Sequence, residues 1–205
     1  KTQFYENFTV MTSLQTYNIG FTRTSLLSET VLIAQIYCAE LNWEGVKQSV
    51  AEGNLLQTRT NRTGDIIFGE IYKRLSLLSA EQLELISEDY RQDVRQLVWI
   101  AICKQYHFVG DFTLEVLASL QASGRGELSV EDYGYFFNSK AESHPELEAV
   151  SDKTRANAQP ALFQIMRQCE LLTETNQLIP QMISPAVQNC SPESDLAFIP
   201  GAMRL

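Results

Sequence analysis

Arg91-Gln92-Asp93-Val94-Arg95-Gln96-Leu97-Val98-Trp99-Ile100-Ala101-Ile102-Cys103-Lys104-Gln105 reads as one helix that is apolar on most of its surface. Such a helix needs neighbours on every side, so it predicts the centre of a helical bundle and a mainly α fold. Working upstream, Leu26, Leu27, Val31, Ala34, Ile36, Tyr37 and Leu41 recur at helical spacing, with Thr24 or Ser25 as the expected N-cap. Asn42 is placed to cap a second helix from Trp43 to about Glu52, which Gly53-Asn54 ends. The polar, basic stretch Leu55 to Thr63 reads as a loop entering a third helix that carries Ile66, Ile67, Ile71, Leu75 and Leu78. Ser79 caps a short helix through Ile86. Downstream of Gln105, the apolar residues Phe108, Phe112, Val116, Leu117 and Leu120 continue a helical run to a stop at Ser123-Gly124-Arg125-Gly126. Residues 1–18 show no sustained period and read as an arm.

Past the glycines the pattern changes, which divides the chain into a helical bundle with its arm, 1–125, and a second unit, 126–205. Leu128-Ser129 starts a helix through Phe136-Phe137, and Ala141-Glu142-Ser143-His144-Pro145 is a polar turn. A short helix then reaches about Val150. Ser151 or Asp152 caps a longer helix from Lys153 to Cys169, which Pro160 is placed to bend. Leu171 to Pro180 holds two short apolar runs around a turn, the pattern of a small β-hairpin. Short helices closed by a hairpin make a winged helix-turn-helix, with an irregular tail after it. A generic helical subdomain with solvated charges has nearly the same composition.

The chain has 205 residues, 44% of them hydrophobic and 20% charged, which is an ordinary globular composition able to bury a core. Its longest apolar runs fall far short of the roughly 20 residues that span a bilayer, and the N-terminal residues lack a secretory h-region. Cys38, Cys103, Cys169 and Cys190 are widely spaced, without a Cys-x-x-Cys pair, so they read as reduced structural thiols in a cytoplasmic protein. The net charge of −9 argues against nucleic acid at first sight. Its distribution is uneven, however: residues 1–78 carry seven basic and seven acidic side chains, and residues 79–205 carry nine and eighteen. Local patches therefore decide more than the total.

Two clusters have the chemistry of phosphate binding. The first is Arg59 with Arg62 among threonine and asparagine side chains, with Arg23 preceding the first helix and Lys73-Arg74 on the third. The rival reading pairs these arginines with bundle carboxylates such as Glu29 or Glu70. The second cluster, Lys153, Thr154, Arg155, Asn157 and Gln159, occupies the start of the helix that a winged helix-turn-helix lays in the major groove, with Arg167 further along. Glu142, Glu146, Glu148, Asp152, Glu170 and Glu174 oppose DNA there unless they point away. Catalytic signals are thin. His107 and His144 are isolated, and neither a nucleophile–base arrangement nor a phosphate-cradling glycine loop nor a metal-ligand spacing stands out. The expectation is a protein without enzymatic activity, cofactor, metal or small-molecule substrate.

Tyr17 to Thr30, then Trp43, Asn54 to Thr60, Trp99 to Tyr106 and Asp111 to Leu117 together resemble the BrxA family, small accessory proteins of BREX phage-defence systems, over most of the chain. The resemblance implies a NusB-like helical N-terminal part, binding of double-stranded DNA, and a role beside the methyltransferase and other BREX proteins. It brings no catalytic residues. The reading is a non-enzymatic, duplex-DNA-binding accessory protein. The alternative is an adaptor that assembles other defence subunits without touching DNA, which the acidic C-terminal half favours.

Overall fold

The computed structural model describes residues 17–21, 24–88 and 91–204. The chain runs through α1 (Leu27–Glu40), α2 (Trp43–Glu52), α3 (Asn61–Leu75), α4 (Ala80–Ser87), α5 (Arg91–Gln105) and α6 (His107–Phe112). A π-helical turn (Thr113–Leu117) joins α6 to α7 (Ala118–Ala122). Then come α8 (Val130–Ala141), α9 (Pro145–Glu148), α10 (Asp152–Gln168), β1 (Met182–Ile183), α11 (Pro185–Cys190), α12 (Glu193–Leu196) and β2 (Met203–Arg204). The fold is mainly α.

The reason α5 is central lies in its own composition. Every residue from Leu97 to Cys103 is at most 1% exposed, and α1, α3, α4, α6 and α11 all pack against it. Burying each large apolar side chain contributes roughly 1.5–3 kcal/mol, so this one helix organises the bundle. The Trp99 indole N–H, buried with it, donates to the Phe198 carbonyl at 2.9 Å.

Local caps set most boundaries as expected. Asn42 accepts from the Glu44 N–H, Ser79 and Gln82 form a reciprocal capping box, and Ser129 and Ser151 cap α8 and α10. Pro160 lies inside α10. The entry to α1 differs from expectation. Neither Thr24 nor Ser25 caps it; Leu26 precedes it at φ 57° without a side-chain cap. Ser25 is buried and its N–H donates to Gln168 Oε1 at 2.8 Å, so a contact with α10 replaces the cap. α3 starts earlier than its apolar spacing suggests, because Thr60 accepts from the Thr63 N–H. The run from Phe108 to Leu120 is not uniform either. The Thr113 hydroxyl donates to the Val109 carbonyl at 2.8 Å, and the Ala118 N–H reaches five residues back to Thr113, which widens the turn.

The segment after the glycines packs on the bundle through aromatic rings. Phe108 and Phe112 of α6 lie 5.1 and 5.3 Å from Phe136 of α8, and Phe21 joins them. One buried cluster runs from Tyr17 to Ile199, across the glycine stop. A tight turn brings Leu172 and Leu178 into an antiparallel bridge, and Glu127 bridges Gln177, so the hairpin gains a third short partner just before α8. The tail beyond 180 is ordered rather than irregular: Ser184 and Pro185 start α11, and β1 and β2 pair in parallel. Buried Asp195 fastens the tail by accepting from Gln82 at 3.1 Å and from Lys104 at 3.0 Å. No helix among the described residues is long and apolar enough to cross a membrane.

Candidate nucleic-acid interface

The segment joining α2 to α3 presents the first group. After Gly53, Asn54 and Gln57 take left-handed backbone angles of 44° and 51°, and Asn54 Oδ1 accepts from the Thr58 N–H at 3.1 Å. This turn carries the chain to Thr60, which caps α3. Arg59 and Arg62 are exposed on either side of that cap, and Lys73 is exposed near the other end of α3. None of the three pairs with a carboxylate among the described residues. The same holds for Lys47 on α2, which the sequence reading missed; its signal was an exposed lysine on the helix that leads into a basic loop.

The second group lies at the start of α10. Lys153, Arg155 and Asn157 are exposed there, while Thr154 and Gln159 are half-buried. Lys153 has no partner among the described residues. Arg155 is held without a carboxylate: its guanidinium lies 4.4 Å from the centre of the Phe137 ring and donates to Asn138 Oδ1 at 3.0 Å. Thr154 belongs to the cap itself, with its hydroxyl 2.9 Å from Ser151 Oγ. Glu142, Glu148 and Asp152 are exposed close by along the chain, so this end of α10 is mixed in charge.

Two expected contacts are corrected by their surroundings. Arg74 is 1% exposed. Its guanidinium donates to the Thr24 and Ser25 carbonyls at 3.2 and 3.0 Å and pairs with Glu70 at 2.9 Å. That pairing with a bundle carboxylate removes it from any outer surface. Arg167 is half-buried, donates to Asn176 Oδ1 at 2.6 Å and lies 3.9 Å from Glu174, so it braces the hairpin turn. Arg23 lies outside the described residues.

Other cations are also committed internally. Arg95 pairs with Glu170, Lys104 with Asp195 and Arg125 with Asp132. Lys140 is the most tightly held, at 2.8 Å from Asp111 and 2.6 Å from Glu115. Burial pulls its pKa down, but the two carboxylates outweigh burial and hold the ammonium above the ordinary lysine range. Asp111 also accepts from the Tyr17 hydroxyl, whose own pKa is pushed up, first by burial and then by that carboxylate. The Tyr17 ring stacks on His144 at 3.7 Å. The four cysteines are free, and burial pushes the Cys169 thiol up to about 12, so it stays protonated and unreactive.

The BrxA family profile matches residues 15–194, which is most of the sequence. The chain belongs to the BrxA family. It is 26% identical over 128 residues to the BREX protein BrxA of Escherichia coli O9:H4 (strain HS), a match covering 62% of this chain and 60% of that protein. The chain therefore spans less than two thirds of that relative's length. A solved structure of an uncharacterized protein from Magnetospirillum magneticum superposes with a TM-score of 0.76, covering 90% of this chain and 96% of that one at 18% identity. At that identity the likeness speaks to the fold alone, and it covers nearly the whole chain.

Proposed function

We propose that this protein is a non-enzymatic, duplex-DNA-binding component of a BREX phage-defence system. One observation carries the reading. Among the described side chains, Arg74, Arg95, Lys104, Arg125, Lys140 and Arg167 are all engaged with carboxylates, whereas Lys47, Arg59, Arg62, Lys73, Lys153 and Arg155 are exposed and are not. Of the cations left over, Arg59 and Arg62 flank the start of α3, Lys47 lies on α2, Lys73 near the far end of α3, and Lys153 and Arg155 at the start of α10. Unpaired cations concentrated in an acidic protein are what phosphate contacts require.

The order α8, α9, α10 and hairpin, with the bridge before α8, supports a winged helix-turn-helix in which α10 enters the major groove. The bundle before it is NusB-like on this reading, with units 1–125 and 126–205 as the two parts and the cytoplasm as the site of action. The E. coli relative's name ties that protein to BREX; on this reading the present chain, a member of the same family, works beside other BREX proteins, the methyltransferase among them. The test is fluorescence anisotropy with two unrelated duplexes at about 50 and about 200 mM salt, where counterion release is visible. Binding of both that falls steeply with salt is expected; no binding at the lower salt overturns the reading.

The adaptor reading is favoured by apolar side chains left outside. Tyr135 on α8 is 75% exposed and Leu41, at φ 52°, is 75% exposed. Co-purification with another defence subunit, together with no retention on heparin, would select the adaptor.

A further inference from the structure

α2, α3 and the segment that joins them also line an open surface pocket of about 180 Å³. Its apolar side is formed by Val50, Ala51, Leu56 and Phe68. Its polar side consists of groups with unused hydrogen-bonding capacity. Asn54 spends its carbonyl oxygen on the Thr58 N–H and hydroxyl, at 3.1 and 3.4 Å, which leaves its amide N–H groups as donors. The side chains of Asn61, Asp65 and Lys47 line the pocket and have no partner among the described residues. Gly64 lets the wall close in, since a Cβ there would stand 3.1 Å from Thr58 Oγ1.

The lining narrows the ligand. Lys47 and Asp65 balance each other, which disfavours a phosphate inside the pocket and suits a neutral group. Donors and acceptors beside an apolar floor suit a flat heterocycle with a polar edge, and the volume has room for one ring system rather than a stacked pair. Arg59 follows the lining residue Thr58 and Arg62 follows Asn61, so an exposed cation adjoins each of two polar wall residues. We propose that this pocket takes up a single unpaired nucleobase while Arg59 and Arg62 hold the flanking phosphates. The proposal rests on the reading of these two arginines as phosphate contacts.

The test uses the full chain and three labelled DNA probes of one sequence: a perfect duplex, the same duplex with one unpaired 2-aminopurine, and the single strand. The bulged duplex should bind about tenfold more tightly than the perfect one, within the range that burying one base supplies, with a change in 2-aminopurine emission. Ala51 is exposed on α2, so Ala51→Trp fills the pocket without entering the core. It should level the two duplexes and leave perfect-duplex binding as it was. Asn61→Ala should reduce the preference several-fold. Equal binding of bulged and perfect duplexes by the unaltered protein, or a preference that survives both substitutions, overturns the pocket and leaves the duplex reading standing. Binding of the bulged and single-stranded probes without the perfect duplex supports the pocket and overturns the duplex reading. Failure to bind any of the three overturns both.

Discussion

Arg62 and Arg74 stand at opposite ends of α3 and do opposite work. Arg62 is exposed beside the N-cap and has no partner among the described residues. Arg74 is buried, bonded to two backbone carbonyls before α1 and paired with Glu70 one turn back. Gln105 at the end of α5 and the Tyr106 hydroxyl just after it donate to the same Glu70 carboxylate, at 3.4 and 2.6 Å, so α3, the end of α5 and the entry to α1 meet at one ionic knot. The difference lies not in the residue type or the helix but in what the rest of the chain brings to each end. A cation becomes structural when distant carbonyls and a carboxylate converge on it, and it stays available for a ligand when nothing does.

The largest effect expected from this comparison is on stability. Arg74→Met leaves the half-buried Glu70 without its counter-charge and the Thr24 and Ser25 carbonyls without their donor, which costs roughly 3 kcal/mol and lowers Tm by about 10 °C in a chain of this size. Arg62→Met, by contrast, should leave Tm within about 1–2 °C. Calorimetry of the two variants side by side decides it; equal Tm values would erase the distinction drawn between the two ends. The next effect is on binding. The double reversal Arg59→Glu with Arg62→Glu should weaken duplex binding more than tenfold on every sequence and flatten the salt dependence by about two counterions, with the fold intact. Lys153→Glu should cost less, about fivefold or ~1 kcal/mol, because exposed Glu142, Glu148 and Asp152 already dilute the field at the start of α10. If Lys153→Glu proves the more damaging of the two, the principal contact surface is α10 and not the α2–α3 segment.

The same contrast explains what was legible beforehand. Caps at Asn42, Ser79, Ser129 and Ser151 depend on partners two or three residues away, so their helices could be read with near-correct limits. The central place of α5 followed from its own apolar surface. The entry to α1 could not be read this way, because Ser25 is engaged by Gln168 and Arg74 from far along the chain. The ordered tail was hidden for a similar reason: it is short, weakly periodic and held by Gln82, Trp99 and Lys104 of the bundle. Among the candidate site residues, composition marked out the basic stretches but did not separate the buried Arg74 and half-buried Arg167 from the exposed cations. The partners of these two, apart from Glu70, lie outside the helix that carries them.

The smallest expected effect concerns Arg125 and Asp132, which lie between these extremes. Arg125 is half-exposed and its guanidinium meets Asp132 at 2.5 Å, while the Ser129 N–H and hydroxyl donate to the same carboxylate. Burial raises the Asp132 pKa, but the Ser129 donors and Arg125 together outweigh it and hold the carboxyl below the ordinary aspartate value. A carboxyl whose pKa is depressed by folding contributes stability above its unfolded pKa of about 3.9 and loses it as pH falls through the lower folded value. Asp132→Asn should therefore cost less than about 1 kcal/mol at neutral pH, since the cap is kept in part and the ion pair is exposed on one side. The difference between the variant and the parent should begin to shrink below about pH 3.9 and approach zero only below the lower folded value, where the parent carboxyl is protonated too. Tm followed from pH 7 to pH 3 for both proteins measures it. A gap that stays constant with pH would mean that Asp132 acts through the shape of its cap and not through its charge, which would place Arg125 among the cations still free to meet a phosphate.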